Sequence, residues 1–121
     1  MVLKLPKSNI QRTPLTDANV DYQSNLIIDR ALLDKVTMQP YERVLCGNMS
    51  HGERFETYTI PGERDSRSII LNGATAPLGK KDDFLTIMSF PSVTESEAID
   101  WRPKVIVLGT NYATIATRWA F

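Results

Sequence analysis

The pattern of hydrophobic and polar positions predicts many short strands and few helices. Residues 84–90 alternate between apolar and polar side chains with the period of two that is typical of a strand with one buried face. Shorter patterns of the same kind end at turn-forming residues. The predicted strands are 2–20, which is irregular around Pro14, and 26–28, 42–48, 54–60, 68–71 and 84–90.

Two short helices interrupt this pattern. Asp29 is a suitable N-cap for a helix over residues 30–35, and an acidic helix is predicted over 94–98. Residues 105–108 form a last apolar run that could pair with a partner strand. Many short strands with few helices favour a mainly β protein built as a small closed barrel. We expect a single domain over 1–121, with the barrel at about 1–91 and a C-terminal helix and tail at 92–121.

Composition and charge exclude several classes of protein. The 121 residues suit one domain, and 14 basic residues balance 14 acidic ones, so no basic surface for nucleic acid is expected. One cysteine and one histidine exclude an intrachain disulfide, a cysteine zinc cluster and a multi-histidine metal site. Cys46 is predicted to lie in the core. Neither a signal peptide nor a membrane span is visible, which favours a cytoplasmic protein.

Several separate motifs resemble bacterial aspartate 1-decarboxylase, a small self-processing pyruvoyl enzyme. They run in order without a gap from about Arg12 to Trp101, and they comprise residues 21–25, 48–58, 63–67, 72–76 and 101–103. The resemblance implies a six-stranded double-psi β-barrel with short helices. It also implies a homotetramer whose active sites lie between subunits.

The loop at residues 21–25 departs from the family at the two positions where self-processing takes place. Family members carry glycine followed by serine, and the serine hydroxyl generates the pyruvoyl group. This chain has Ser24 at the glycine position and Asn25 at the serine position, while Tyr22 matches. Because a carboxamide is a poor nucleophile and cannot yield pyruvoyl, the departure predicts no autocleavage and no pyruvoyl cofactor.

Two other routes to cleavage stay open. Ser24 could act one residue earlier in the chain and cleave after Gln23, although Gln23 lacks the backbone freedom of glycine. Asn25 could instead cyclise and cleave before Leu26, which leaves no ketone.

Other departures affect the pocket that the resemblance implies. Asn9 replaces a lysine, Gln11 a histidine and Gly47 a tryptophan of the family. A pocket that loses a cation and an indole ring should be roomier and less positively charged.

The remaining site residues match the family. Arg54 matches the arginine that binds the substrate carboxylate, and Tyr58 matches the proton donor. Thr57 and Asn72 match residues that assist self-processing. The backbone amides of Gly73 and Ala74 are expected to line the site. An ion pair of Arg54 with a glutamate, a core role for Tyr58 and a turn-holding role for Asn72 are the structural alternatives.

These observations lead to a hypothesis of a repurposed scaffold. The protein is predicted to be a cofactor-independent enzyme for cyclisation, dehydration or isomerisation of a carboxylate or carbonyl compound larger than aspartate. Tyr58 would be the acid, Arg54 the anchor, and Asn25 and Asn72 hydrogen-bond partners, with Tyr22, Gly47, Asn9 and Thr57 around the substrate. The alternatives are a pyruvoyl-dependent aspartate 1-decarboxylase processed at Ser24, which makes β-alanine, and a non-catalytic binding subunit.

Three charged or titratable features are predicted to be solvated. His51 is expected in an exposed turn, residues 80–83 in a solvated loop and residues 95–100 on a surface helix.

Overall fold

Short strands make up most of the regular structure. The computed structural model describes residues 1–23 and 25–109, together with the backbone of 114–118. Of the described residues, strands hold 46% and helices 15%, which confirms a mainly β protein. The strands are β1 (Val2–Lys4), β2 (Ser8–Pro14), β3 (Asp17–Asn19), β4 (Leu26–Asp29), β5 (Arg43–Asn48), β6 (Arg54–Gly62), β7 (Ile69–Asn72), β8 (Phe84–Ser89), β9 (Ser92–Thr94), β10 (Lys104–Leu108) and β11 (Thr114–Arg118).

Nine of these strands form one mixed sheet. Its order is β11-β10-β2-β8-β5-β6-β4-β7-β3, and β1 pairs separately with β9. The β10–β2, β4–β6 and β3–β7 pairs are parallel, and the other pairs are antiparallel. This arrangement is consistent with a small β-barrel fold. The apolar run at 105–108 pairs within the chain, with β2 and β11, rather than with a separate partner.

The core contains the apolar side chains from one face of the sheet. Leu85 and Ile87 of β8 are fully buried, as the alternation of that strand predicts. Cys46 is also fully buried, and burial raises the pKa of its thiol to about 12. The thiol therefore behaves as a small apolar group, which confirms the predicted core position.

Within residues 1–109, three helices connect the strands, and each has an identifiable start. In α1 (Arg30–Lys35) the Asp29 carboxylate accepts a 2.8 Å hydrogen bond from the Ala31 N–H. In α2 (Glu95–Ala98) Thr94 and Glu97 form a capping box. A 3-10 helix covers Gly73–Leu78 and begins with Gly73 at a φ of 62°. None of the helices in the described ranges has the length and apolar character that a bilayer span requires.

Strand β6 runs further than the sequence pattern predicts. The sequence pattern predicts a strand that ends at residue 60, before Pro61-Gly62, but both residues pair with the end of β4. A Cβ atom at Gly62 would lie 2.7 Å from Ser68 Oγ and 2.9 Å from Ile27 Cγ2. The glycine therefore permits a close approach of two segments instead of terminating the strand.

A second close approach, at Gly79, gives a stability prediction. A Cβ atom there would lie 2.6 Å from Leu15 Cδ1 and 3.0 Å from Leu71 Cδ1, both in the core. Gly79→Ala is therefore expected to lower the free energy of unfolding by about 1–3 kcal/mol, as overpacking does elsewhere. Urea unfolding of the variant and of the wild type measures this change in the free energy of unfolding. Gly47→Ala is the control, because no atom lies within 4 Å of a Cβ at Gly47. Equal stability of the two variants would contradict the packing argument.

Candidate active site

The first candidate site is a cavity of about 370 Å³ over β5, β6 and β8, here called the arginine cavity. The strand register creates it. Gly47 lies between Arg54 on β6 and Thr86 on β8, and it pairs with both. Since glycine has no side chain, the space between these two residues stays open. The lining residues are Leu45, Cys46, Gly47, Asn48, Met49, Gly52, Glu53, Arg54, Thr86 and Met88.

Arg54 is the candidate anion-binding group of this cavity. In the described part of the chain no carboxylate lies within ion-pair distance of it. The neighbouring Glu56 forms its ion pair with Arg43 instead. The structural alternative of an Arg54–glutamate ion pair is therefore not observed. The guanidinium remains able to bind a carboxylate through two parallel hydrogen bonds.

The second candidate site is the loop cavity, a space of about 360 Å³ beside residues 21–25. Antiparallel pairing of β4 with β7 brings Asn25 next to Asn72. The Asn72 N–H donates a 2.8 Å hydrogen bond to the Asn25 carbonyl. The Thr75 hydroxyl lies 3.0 Å from the same oxygen. The lining residues are Asp17, Tyr22, Gln23, Ile27, Ile70 and Asn72.

Unpaired polar atoms mark three of the predicted site residues. Among the described residues, Asn9 Oδ1, Thr57 Oγ1 and Asn72 Oδ1 are buried without a hydrogen-bond partner. Leaving a buried polar atom unpaired costs about 1–3 kcal/mol. Such atoms therefore call for an explanation, and one explanation is that they bind another group. Asn72 is 3% exposed and lines the loop cavity, so its free oxygen is the best placed of them.

One chain does not gather all predicted site residues around one cavity. Arg54 and Gly47 line the arginine cavity, whereas Tyr22 and Asn72 line the loop cavity. The other predicted residues line neither of these two cavities. Tyr58 is 41% exposed on β6, Asn9 is buried on β2, Thr57 is half-buried on β6, and Gly73 and Ala74 open the 3-10 helix.

Sequence reasoning missed several residues of these sites, among them Thr86, Met88 and Thr75. Thr86 and Met88 line the arginine cavity, and Thr75 contacts the Asn25 carbonyl. The alternation along residues 84–90 places Thr86 and Met88 on one face of their strand. It does not say which strand lies beside them, so it cannot bring them to Gly47.

The loop at residues 80–83 is not fully solvated, which corrects the sequence prediction. Asp83 is only 4% exposed. Its Oδ2 accepts hydrogen bonds from Asn48 Nδ2 and the Lys80 N–H, both at 3.0 Å, and lies 3.1 Å from His51 Nε2. His51 itself is about half exposed, as predicted. The contacts of Asp83 therefore link the turn beside the arginine cavity to the loop that precedes β8.

Asp83 should make the stability of this region depend on pH. The hydrogen bond from Asn48, with smaller contributions from Lys80 and His51, holds the pKa of the carboxyl below its usual value. A lowered folded-state pKa stabilises the protein above the unfolded-state pKa, and this stability disappears as pH falls through the folded value. Asp83→Asn should therefore destabilise the protein at neutral pH and have less effect at a pH of about 3. Urea unfolding at both pH values checks this. Asp82→Asn, at an exposed neighbour, is the control and should show no such trend.

The family model and the similar proteins that match this chain all belong to one family. Residues 1–114 match the family model described as aspartate decarboxylase. Aspartate 1-decarboxylase of Leptospira biflexa is 41% identical over 112 residues, which cover 92% of this chain and 95% of the relative. The aspartate 1-decarboxylase of Clostridium botulinum strain Loch Maree is 42% identical, over 88% of this chain and 84% of the relative. The aspartate 1-decarboxylase of Anoxybacillus flavithermus is also 42% identical, over 89% of this chain and 85% of the relative.

These relatives contradict the hypothesis of a repurposed, cofactor-independent enzyme. They are named as decarboxylases, so the predictions of a cyclase, dehydratase or isomerase, of no pyruvoyl and autocleavage, and of no aspartate decarboxylation are wrong. Ser24 and Asn25 differ from the family pattern, but the similarity to the decarboxylases extends along most of the chain. A hydroxyl is still present in the loop, one position earlier.

Proposed function

Because the chain belongs to the aspartate decarboxylase family, we propose that it is a pyruvoyl-dependent aspartate 1-decarboxylase that forms β-alanine and obtains its prosthetic group from Ser24. Two observations support this proposal. Residues 1–114 match the family model, and relatives that are aspartate 1-decarboxylases are 41–42% identical over most of their length. This proposal takes the place of the hypothesis of a repurposed enzyme. It adopts the alternative in which Ser24 is processed and the protein decarboxylates aspartate.

The residues beside the loop suit a pyruvoyl group. Ser24 is the only residue of 21–25 with an aliphatic hydroxyl, so it is the available source of the ketone. Among the described residues, the buried Asn72 Oδ1 beside the loop has no hydrogen-bond partner, and it would hold the group or the substrate joined to it. Thr57 Oγ1 on β6, also buried and unpaired within those ranges, is a further candidate for this role. Such a group supplies an electron sink for the loss of carbon dioxide from an amino acid.

Maturation at Ser24 follows from the chemistry of its hydroxyl. The Oγ atom adds to the carbonyl carbon of Gln23, and the peptide C–N bond breaks to leave an ester and a free amine. Loss of the Ser24 α-proton and cleavage of the Cβ–O bond then release residues 1–23 with a terminal carboxylate. The enamine that remains on residue 24 takes up water and loses ammonia, which leaves the ketone.

Arg54 and Tyr58 are proposed to act on the substrate. The Arg54 guanidinium would bind a substrate carboxylate in the arginine cavity, where Gly47 leaves room for it. The half-exposed Tyr58 hydroxyl would donate the proton that replaces carbon dioxide. Gly73, Ala74, Tyr22 and Asn9 remain proposed lining residues.

A second copy of the chain would complete the site. Arg54 and Asn72 line different cavities of one chain, so we propose that Arg54 of one copy and Asn72 of another act on the same substrate. This supports the homotetramer with sites between subunits that the family resemblance implies.

Mass spectrometry of the intact purified protein tests the proposal. The expected result is two fragments, residues 1–23 and a fragment of 24–121 with a ketone at its blocked end. Incubation with L-aspartate should give β-alanine and carbon dioxide, and L-glutamate, which is one methylene longer, serves as the control substrate. A single uncleaved chain that gives no β-alanine would overturn the proposal.

A further inference from the structure

Thr75 occupies a junction between the loop and the turn that follows β7. It is only 7% exposed. Its Oγ1 lies 3.0 Å from the Asn25 carbonyl oxygen and 2.8 Å from the Asn72 carbonyl oxygen. The hydroxyl has one proton, which the two carbonyls therefore share. Thr75 thus links the residue after Ser24 to the residue whose side chain lines the loop cavity.

The backbone reinforces this link. The Asn72 N–H donates to the Asn25 carbonyl at 2.8 Å, which extends the β4–β7 pairing by one residue beyond Leu26 and Leu71. The Asn25 carbonyl therefore has two donors. By contrast, residues 21–23 on the other side of Ser24 are exposed. The chain is held on the C-terminal side of Ser24 and open to solvent on the N-terminal side.

We propose that Thr75 is a positioning residue that anchors the carbonyl following Ser24, both during cleavage and after it. This inference rests on the proposed function. When the Gln23–Ser24 bond breaks, the exposed segment leaves and the new terminus stays one residue from an anchored carbonyl. The same hydroxyl bonds the Asn72 carbonyl, so the new terminus keeps its position relative to the Asn72 side chain. Such fixed geometry is what an intramolecular attack and a prosthetic group both require.

Removal of the Thr75 hydroxyl should slow self-cleavage. Thr75→Val leaves the Asn72 carbonyl without this donor and the Asn25 carbonyl with one donor instead of two. The rate at which the two fragments appear, measured by intact mass, should fall roughly tenfold, the loss expected from one buried hydrogen bond. Thr75→Ser restores the hydroxyl and should restore the rate.

The matched control is Thr13→Val. Thr13 is fully buried and also bonds a carbonyl, that of Ile10. It lies on β2, which pairs with β8 and β10 but not with β4 or β7. Its loss should affect stability without slowing cleavage. Should Thr75→Val fail to fold, Thr75→Ala removes the same hydroxyl without a new methyl group.

A second measurement separates this inference from the proposed function. In a Ser24→Ala background, which carries no aliphatic hydroxyl in the loop, hydrogen exchange of the Asn72 amide reports the anchor directly. Thr75→Val should accelerate that exchange, and Thr13→Val should not. Unchanged exchange overturns the inference, as does faster exchange with unchanged cleavage. If the wild-type protein proves uncleaved, the proposed function fails alone, and the exchange experiment still decides whether Thr75 anchors Asn25.

Discussion

Ser24→Ala is expected to leave the protein as one uncleaved chain and to reduce β-alanine formation to background. Alanine has no oxygen to attack the Gln23 carbonyl and no leaving group on its Cβ atom. Neither the ester nor the ketone can therefore form. Intact mass of the purified variant and assay of β-alanine from L-aspartate measure the two effects.

Ser96→Ala is the matched control for this prediction. Ser96 is an exposed serine of α2, remote in sequence from the loop, and its loss should leave cleavage and turnover as in the wild type. A Ser24→Ala variant that is still cut, with a fragment beginning at Leu26, would instead assign the cleavage to Asn25. Such a fragment carries no ketone, and the decarboxylase proposal would then fail.

Arg54→Ala is expected to lower kcat/KM for L-aspartate roughly 100-fold and to leave self-cleavage intact. Loss of the charged hydrogen bonds to a carboxylate costs about 3 kcal/mol, which corresponds to about two powers of ten in rate. Arg54→Lys keeps the charge but not the planar pair of donors, so it should recover only part of the loss. Steady-state kinetics on fully cleaved protein gives both values.

Arg43→Ala provides the control for Arg54. Arg43 lies on the neighbouring strand β5 and is largely exposed, but it bonds Glu56 and does not line the arginine cavity. Its loss should change kcat/KM little, since exposed ion pairs contribute about 0–1 kcal/mol. Equal kinetics for the Arg54 and Arg43 variants would show that the substrate carboxylate binds elsewhere.

The failed prediction about the cofactor has a specific cause. It rests on a single pair of loop residues, Ser24 and Asn25. The sequence does show where a hydroxyl is missing, but it also shows a hydroxyl one residue earlier. Similarity to decarboxylases along 92% of the chain outweighs the difference at these two loop positions.

Local sequence alone determined the strands with clear alternation, the capped start of α1 at Asp29, the burial of Cys46 and the family. Each of these depends on the chemistry of neighbouring residues, which the order of the chain contains directly. Only the tertiary structure decided that Thr75 bonds the Asn25 carbonyl, that Asp83 is buried against Asn48, and that Arg54 and Asn72 line separate cavities. The first two contacts join residues that are 50 and 35 positions apart, and the placement of Arg54 and Asn72 follows from the register of strands that are not neighbours in sequence. Alternation gives the face of a strand but not its partner, so such contacts become visible only once the chain is folded.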